Sequence, residues 1–250
     1  MNYTLISFSP TGGTVGCAKI LAAALAEEWH TIDLLRPIPE TSFDEGDLCL
    51  IAVPSFGGRI PTLCAERLEQ LCGGGAKAVL LCVYGNRAYE DTLSELQDLL
   101  EARGFVCIAA VAAIAEHSVL REFAAGRPDT EDAVCLTAFG NAIRERIEHP
   151  AETPLILPGS HGTYKPFKNS PFVPAETDAC LACGTCAAEC PAGAIGSTPD
   201  DIDAGRCIKC MRCAVVCSVG ARRMDTKILE PLRERLAVLC ADRKENELFL

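Results

Sequence analysis

Cysteine offers this 250-residue chain its most distinctive chemistry, and spacing divides the sixteen cysteines into two kinds. Eight lie in two runs that each read C-x2-C-x2-C-x3-C: Cys180, Cys183, Cys186 and Cys190, then Cys207, Cys210, Cys213 and Cys217. The second run repeats the first at an offset of 27 residues. Ala187, Gly193 and Ala194 recur with it as Ala214, Gly220 and Ala221. Three thiolates so closely spaced can wrap one corner of an iron–sulfur cubane, each on its own iron, leaving one iron for a remote ligand. Zinc is the alternative metal; it takes a tetrahedral set commonly drawn from two well-separated Cys-x-x-Cys pairs. Here four cysteines crowd into eleven residues, twice, with no histidine beside them. Ligand preference favours two [4Fe–4S] clusters.

A disulfide framework is the remaining alternative, and the other eight cysteines argue against it. Cys240 stands alone, and seven are scattered through the first 150 residues, several inside apolar stretches such as Leu48-Cys49-Leu50-Ile51. These read as small buried hydrophobes in a reducing compartment. The segment Met1–Phe8 lacks the basic region, apolar core and cleavage site of an export signal. No uncharged apolar run is long enough to span a membrane. A cytoplasmic protein is expected. The formal net charge of -11 and pI near 4.9 exclude non-specific nucleic-acid binding and polybasic membrane contact.

A second group of residues suits a phosphorylated aromatic ligand. Ser9-Pro10-Thr11-Gly12-Gly13-Thr14 joins a strand-like run to a helix-like one. Hydroxyls and glycines at a helix N-terminus offer N–H groups and the helix dipole to an anion. No Lys or Arg lies in the loop, which favours one phosphate monoester over a triphosphate with Mg²⁺; GxxxxGK[ST] and GxGxxG are both absent. A plain helix-capping turn uses the same residue types. Two further loops lower the weight of that alternative: Pro54-Ser55-Phe56-Gly57-Gly58-Arg59-Ile60-Pro61 and Tyr84-Gly85-Asn86-Arg87-Ala88-Tyr89-Glu90-Asp91. Each pairs an aromatic residue with glycine, so backbone can approach a flat ring while an aromatic face covers it. Asn86 is placed to meet a pyrimidine edge. His117, in Glu116-His117-Ser118, reads as a solvated loop residue.

The elements that must position these groups follow from apolar patterning. Tyr3–Phe8, Thr31–Leu34, Leu48–Val53, Ala78–Tyr84 and Val106–Ala113 read as strands, most of them continuously apolar and so covered on both faces. Thr14–Glu28, Pro61–Cys72, Tyr89–Ala102 and Thr130–Ile147 carry helical periodicity between them, giving an open parallel sheet over residues 1–149. Residues 150–174 hold six prolines and read as an extended linker, with Tyr164, Phe167 and Phe172 packing along a surface. The cysteine repeat fills 175–226. In 227–250, Glu230–Ala241 reads as an amphipathic helix with Pro231 in its first turn, docking back on the rest.

The cysteine segment closely resembles bacterial two-cluster ferredoxins, including Pro191 after Cys190. The resemblance implies a small α+β ferredoxin-like domain in which the fourth cysteine of each run serves the opposite cluster. One cluster would take Cys180, Cys183, Cys186 and Cys217, the other Cys207, Cys210, Cys213 and Cys190. Ser218 stands where that family usually has proline, and its N–H and hydroxyl are expected to hydrogen-bond a sulfur and raise that cluster's potential. Residues 1–149 resemble flavodoxins, through the Ser/Thr phosphate loop and the aromatic–glycine loops. That resemblance implies an α/β five-stranded parallel sheet of order 2-1-3-4-5 with helices on both faces, and non-covalent FMN. Its phosphate would sit on Ser9, Thr11, Gly12, Gly13 and Thr14, and its ring against Ser55, Phe56, Gly57, Gly58, Tyr84, Gly85, Asn86, Arg87, Tyr89 and Asp91. The whole chain looks like the flavodoxin–ferredoxin fusion proteins of anaerobes, including the Tyr164-Lys165-Pro166 and Ser170-Pro171-Phe172 linker.

FMN takes electrons singly or as hydride and each cubane takes one, so the expected role is intramolecular electron transfer between clusters and flavin. Residues 1–149 carry 11 Lys and Arg against 21 Asp and Glu, which predicts a basic-faced redox protein as partner. The competing expectation is an FMN-dependent reductase of a small substrate with a built-in ferredoxin feed. No pair of residues stands out as catalytic acid, base or nucleophile.

Overall fold

The computed structural model describes residues 2–150, 153–166 and 172–250. Its apolar runs form β1 (Tyr3–Ser7), β2 (His30–Asp33), β3 (Leu48–Pro54), β4 (Lys77–Tyr84) and β5 (Val106–Ile114). Four helices alternate with them: α1 (Gly13–Leu25), α2 (Thr62–Leu68), α3 (Thr92–Ala102) and α4 (Thr130–Glu148). The five strands pair in parallel in the order 2-1-3-4-5. The five-stranded expectation is corrected to six. β6 (Glu247–Phe249) adds antiparallel to the outer edge of β5, through a segment too short to show an alternating pattern.

Strand periodicity accounts for the two-sided core. In β3, Cys49, Ile51 and Val53 pack with α2 and α3, while Leu48, Leu50 and Ala52 pack with α1 and α4. Every residue of β3 is therefore buried, as continuous apolar runs require when helices cover both faces.

Three expected boundaries move. The first helix stops at Leu25 rather than Glu28. The helix expected over Pro61–Cys72 stops at Leu68, because Leu71–Cys72 instead pairs with Thr41–Ser42. The C-terminal helix, α7 (Thr226–Leu239), begins earlier than Glu230: the Asp225 side chain caps it by accepting from the Lys227 N–H at 2.8 Å. Pro231 consequently lies inside the helix, not in its first turn. α7 does dock back, burying Leu229 and Leu236 against Leu120, with Arg233 paired to Glu122 at 2.7 Å.

The described part of the linker packs against the first domain mainly through aliphatic anchors. Leu155 and Leu157 join the core beside α3, where Gln97 donates to the Leu155 carbonyl at 3.1 Å. Tyr164 bonds Asp98, and the Arg59 guanidinium lies 4.7 Å from its ring centre. Phe167, Ser170 and Pro171 lie outside the described residues, and Phe172 is exposed.

Beyond the linker, Ala175–Glu176 pairs antiparallel with Arg222–Arg223, framing two single-turn helices, α5 (Thr185–Ala188) and α6 (Arg212–Val215). The sequence repeat persists in the backbone. Left-handed residues recur at the same offset: Ala182 (φ 49°) and Lys209 (55°), Gly184 (75°) and Met211 (63°), Gly193 (55°) and Gly220 (62°). Three of these are not glycine, and such conformations persist only where the surroundings enforce them. Among the described residues no helix is long and apolar enough to cross a membrane.

Candidate functional site

An open cleft of about 630 Å³ lies at the C-terminal ends of β1, β3, β4 and β5. In open parallel sheets this edge, at the reversal of strand order, is where ligands bind. The β1 loop contributes Pro10, Thr11, Gly13 and Thr14; the β3 loop Pro54, Ser55, Phe56 and Gly57; the β4 end Val83, Tyr84, Gly85, Arg87 and Ala88. Nine of the fifteen expected ring and phosphate residues are thus brought together. Gly12 begins α1 at φ 94°, a conformation glycine adopts without penalty. A Cβ on Gly13 would sit 2.9 Å from the Ala115 Cβ, so close packing requires glycine there.

The other expected residues hold the loops instead of lining the wall. Ser9 Oγ accepts from the Val15 N–H at 2.9 Å, fixing the turn into α1. Gly58 carries φ 89° and its carbonyl accepts from the Asp91 N–H at 3.0 Å, joining the two ring loops. Asn86, expected at a pyrimidine edge, is buried and committed elsewhere. Its amide donates to the carbonyls of Cys240 (3.3 Å) and Asp242 (2.9 Å) and accepts from the Lys244 N–H (3.1 Å). Tyr89 donates to Glu247 at 3.0 Å and stands edge-on to Tyr84. Asp91 accepts from the N–H groups of Ser160 (3.0 Å) and Lys165 (3.1 Å) and so anchors the linker. Sequence could not reveal the partners of Asn86, Tyr89 and Asp91, since they come from remote segments with no motif of their own.

The β5 loop changes the reading of His117. This residue lines the cleft with Ala115, Glu116 and Ser118 and is not a solvated loop residue. Its Nδ1 accepts from the N–H groups of Val119 (3.3 Å) and Leu120 (3.1 Å), which places the neutral ring's proton on Nε2. Burial holds its pKa below the ordinary histidine value, with Arg87 acting the same way and Glu122 opposing. Gly85 accommodates it, since a Cβ there would lie 2.6 Å from the imidazole Cδ2.

The eight clustered cysteines line two separate cavities. One is lined by Cys190, Cys207, Cys210 and Cys213; the other by Cys180, Cys183, Cys186 and Cys217. Among the described residues, no three His, Cys, Asp or Glu side chains converge closely enough to hold a metal ion. The thiols instead surround shared spaces. Matched backbone donors approach one sulfur in each set: Ala194 N–H to Cys190 (3.3 Å) and Ala221 N–H to Cys217 (3.2 Å). The bond to the Cys217 sulfur comes from the Ala221 N–H, and Ser218 lines the same cavity. Arg212 lines the first cavity, and its buried Nε has no hydrogen-bond partner among the described residues. Burial raises the Cys210 thiol to about 12 and Cys213 to about 11, while a hydrogen bond from Thr185 lowers the exposed Cys183. The first cavity is the sheltered one and the second the outward-facing one.

Cys210 lines both its own cavity and the cleft at the sheet edge. Arginines fix this arrangement. Arg67 donates to the carbonyls of Leu34 and Pro191, the latter at 2.7 Å. Arg36 reaches the Ala188 carbonyl (3.0 Å) and Glu189 (2.6 Å), and Arg212 bonds the Pro10 carbonyl (3.4 Å) and Glu189 (2.6 Å).

No protein-family profile matches the chain, and no curated protein matches it. Among solved structures it is similar to flavodoxin 1 of Bacillus cereus, at 17% identity and a TM-score of 0.42, covering 60% of this chain and 100% of that one. A flavodoxin of Streptococcus pneumoniae TIGR4 shows 16% identity and a TM-score of 0.40, over 58% of this chain and 99% of that one. A Fusobacterium nucleatum flavodoxin bound to flavin mononucleotide shows 10% identity and a TM-score of 0.38, over 58% and 98%.

Proposed function

We propose that this chain is an electron-transfer protein that joins FMN in the sheet-edge cleft to two [4Fe–4S] clusters in the cysteine cavities. The observation that carries the reading is the double position of Cys210, on the wall of both the cleft and a four-cysteine cavity. When bound, the flavin would supply two-electron capacity and each cluster one-electron capacity. The loop from Ser9 to Thr14 would hold the phosphate on helix-terminal N–H groups without a cationic side chain. Phe56, Gly57, Tyr84 and Gly85 would receive the ring, and the remaining loop residues keep those four in place. Cys190, Cys207, Cys210 and Cys213 would bind the sheltered cluster; Cys180, Cys183, Cys186 and Cys217 would bind the outer one, where a partner has access. Acidic charge on residues 1–149 suits a basic-faced redox protein.

One observation favours a second reading, reduction of a small substrate: His117 lines the cleft as a neutral imidazole with its Nε2 proton still to give. Substrate-dependent reoxidation of the reduced protein separates the two. Anaerobic purification with iron, sulfide and flavin quantitation tests the cofactors; about eight irons and one FMN per chain are expected. Zinc, or a chain that takes up no flavin, would refute the assignment.

A further inference from the structure

The two cysteine sets share a repeat but differ, among other matched positions, at the one held by Arg222. Arg222 stands 27 residues after Ile195, which lines the sheltered cavity, while Arg222 lines the outer one. Arg222 is only 3% exposed. Its guanidinium donates to the carbonyls of Pro174 (3.2 Å) and Pro199 (2.7 Å) and to the Cys186 sulfur (3.4 Å). Arg222 pairs with Glu176 at 3.6 Å, beyond good hydrogen-bond range. Carbonyls satisfy N–H groups without neutralising charge, and one partly solvated carboxylate at 3.6 Å compensates a buried cation only in part. Four thiolates around an iron–sulfur core would provide the missing negative charge at the sulfur Arg222 already touches.

Resting on the iron–sulfur reading above, we propose that Arg222 is a built-in counter-cation of the Cys180, Cys183, Cys186 and Cys217 set and raises the reduction potential of the cluster held there. Reduction adds one electron to a cluster. A guanidinium against a ligand sulfur stabilises that added charge through the N–H···S bond and by direct attraction at low local dielectric. The sheltered cavity has an isoleucine at the matched position and carries Lys209 and Arg212 on its wall, so what sets the outer set apart is the N–H···S bond from Arg222 to Cys186.

The test is a redox titration of the loaded full-length protein followed by electron paramagnetic resonance, with Cys180→Ser assigning the outer set's signal. Arg222→Gln is expected to weaken reduction of the outer cluster at least tenfold, about 59 mV for one electron. The sheltered cluster should move less, and Arg222→Lys should retain most of the wild-type value. Full iron content with both potentials unmoved in Arg222→Gln, or equal shifts in both clusters, would overturn the inference. Should Arg222→Gln fail to load, Arg222→Lys decides: a potential near wild type supports a charge role, and a tenfold shift despite the retained charge refutes it. Wild-type protein without iron would sink the iron–sulfur reading itself.

Discussion

Arg212 donates to the carbonyl of Pro10 at 3.4 Å, tying the second cysteine run to the loop that follows β1. The same guanidinium pairs with Glu189 at 2.6 Å, and both partners are partly solvated. Arg212→Ala should therefore cost only about 1 kcal/mol of docking. That corresponds to roughly a fivefold rise in the opened population, read as faster limited proteolysis of residues 150–174. Unchanged cleavage would show that Arg67 and Arg36 hold the two parts alone.

Asn86 spends its whole side-chain amide on the C-terminal segment. Asn86→Ala removes three part-buried bonds to the C-terminal segment and should destabilise the protein by about 2 kcal/mol in denaturant melts. Hydrogen exchange at Glu247–Phe249 should quicken with it, because the lost bonds anchor the chain just before β6.

Close packing of Gly13 on Ala115 gives a paired test. Gly13→Ala brings two methyl carbons to 2.9 Å, so the helix start and the β5 loop must shift apart at the cleft wall. Flavin affinity is expected to fall about tenfold, a cost of about 1.4 kcal/mol. Adding Ala115→Gly should recover most of it. Equal affinities for Gly13→Ala and wild type would place the phosphate elsewhere.

His117 sets a pH dependence. Burial lowers its pKa in the folded protein, so the unfolded chain takes up the proton first as pH falls. Its contribution is fully present above the ordinary histidine value of about 6.5 and is lost as pH drops through the folded value. Thermal melts of His117→Gln should vary less than wild type between pH 7 and 5.5. Glu90, Asp91 and Asp98 are also held below their usual values, by Arg87 and Lys165, by backbone N–H groups, and by Tyr164 and His161 respectively, each against the opposing cost of burial. Their losses come at more acid pH, below about 4, and leave the His117 window clear.

How much of this was legible beforehand depends on how local the cause is. The cysteine runs and loop glycines carry their meaning in spacing, and the sets lining the two cavities are those the ferredoxin resemblance implies. A parallel sheet follows from apolar runs covered on both faces, while its strand order came from the flavodoxin resemblance. What escaped was long-range. Nothing near Asn86 or Asp91 announces that residues 240–244 and 160–165 will occupy them, and β6 is three residues long. Leu155 and Leu157 sit in a proline-rich stretch that reads as linker, yet they are core. His117 became a cleft residue through the turn that folds Val119 and Leu120 onto its Nδ1.

Cys210, on the wall of both the cleft and a four-cysteine cavity, would carry electronic contact between the cysteine sets and the cleft. Anaerobic stopped-flow of the loaded protein with substoichiometric one-electron reductant measures it directly, following cluster and flavin absorbance together. Electron redistribution between the two chromophores should proceed at a rate independent of protein concentration. A rate proportional to protein concentration would mean that electrons pass between molecules, and would contradict the account.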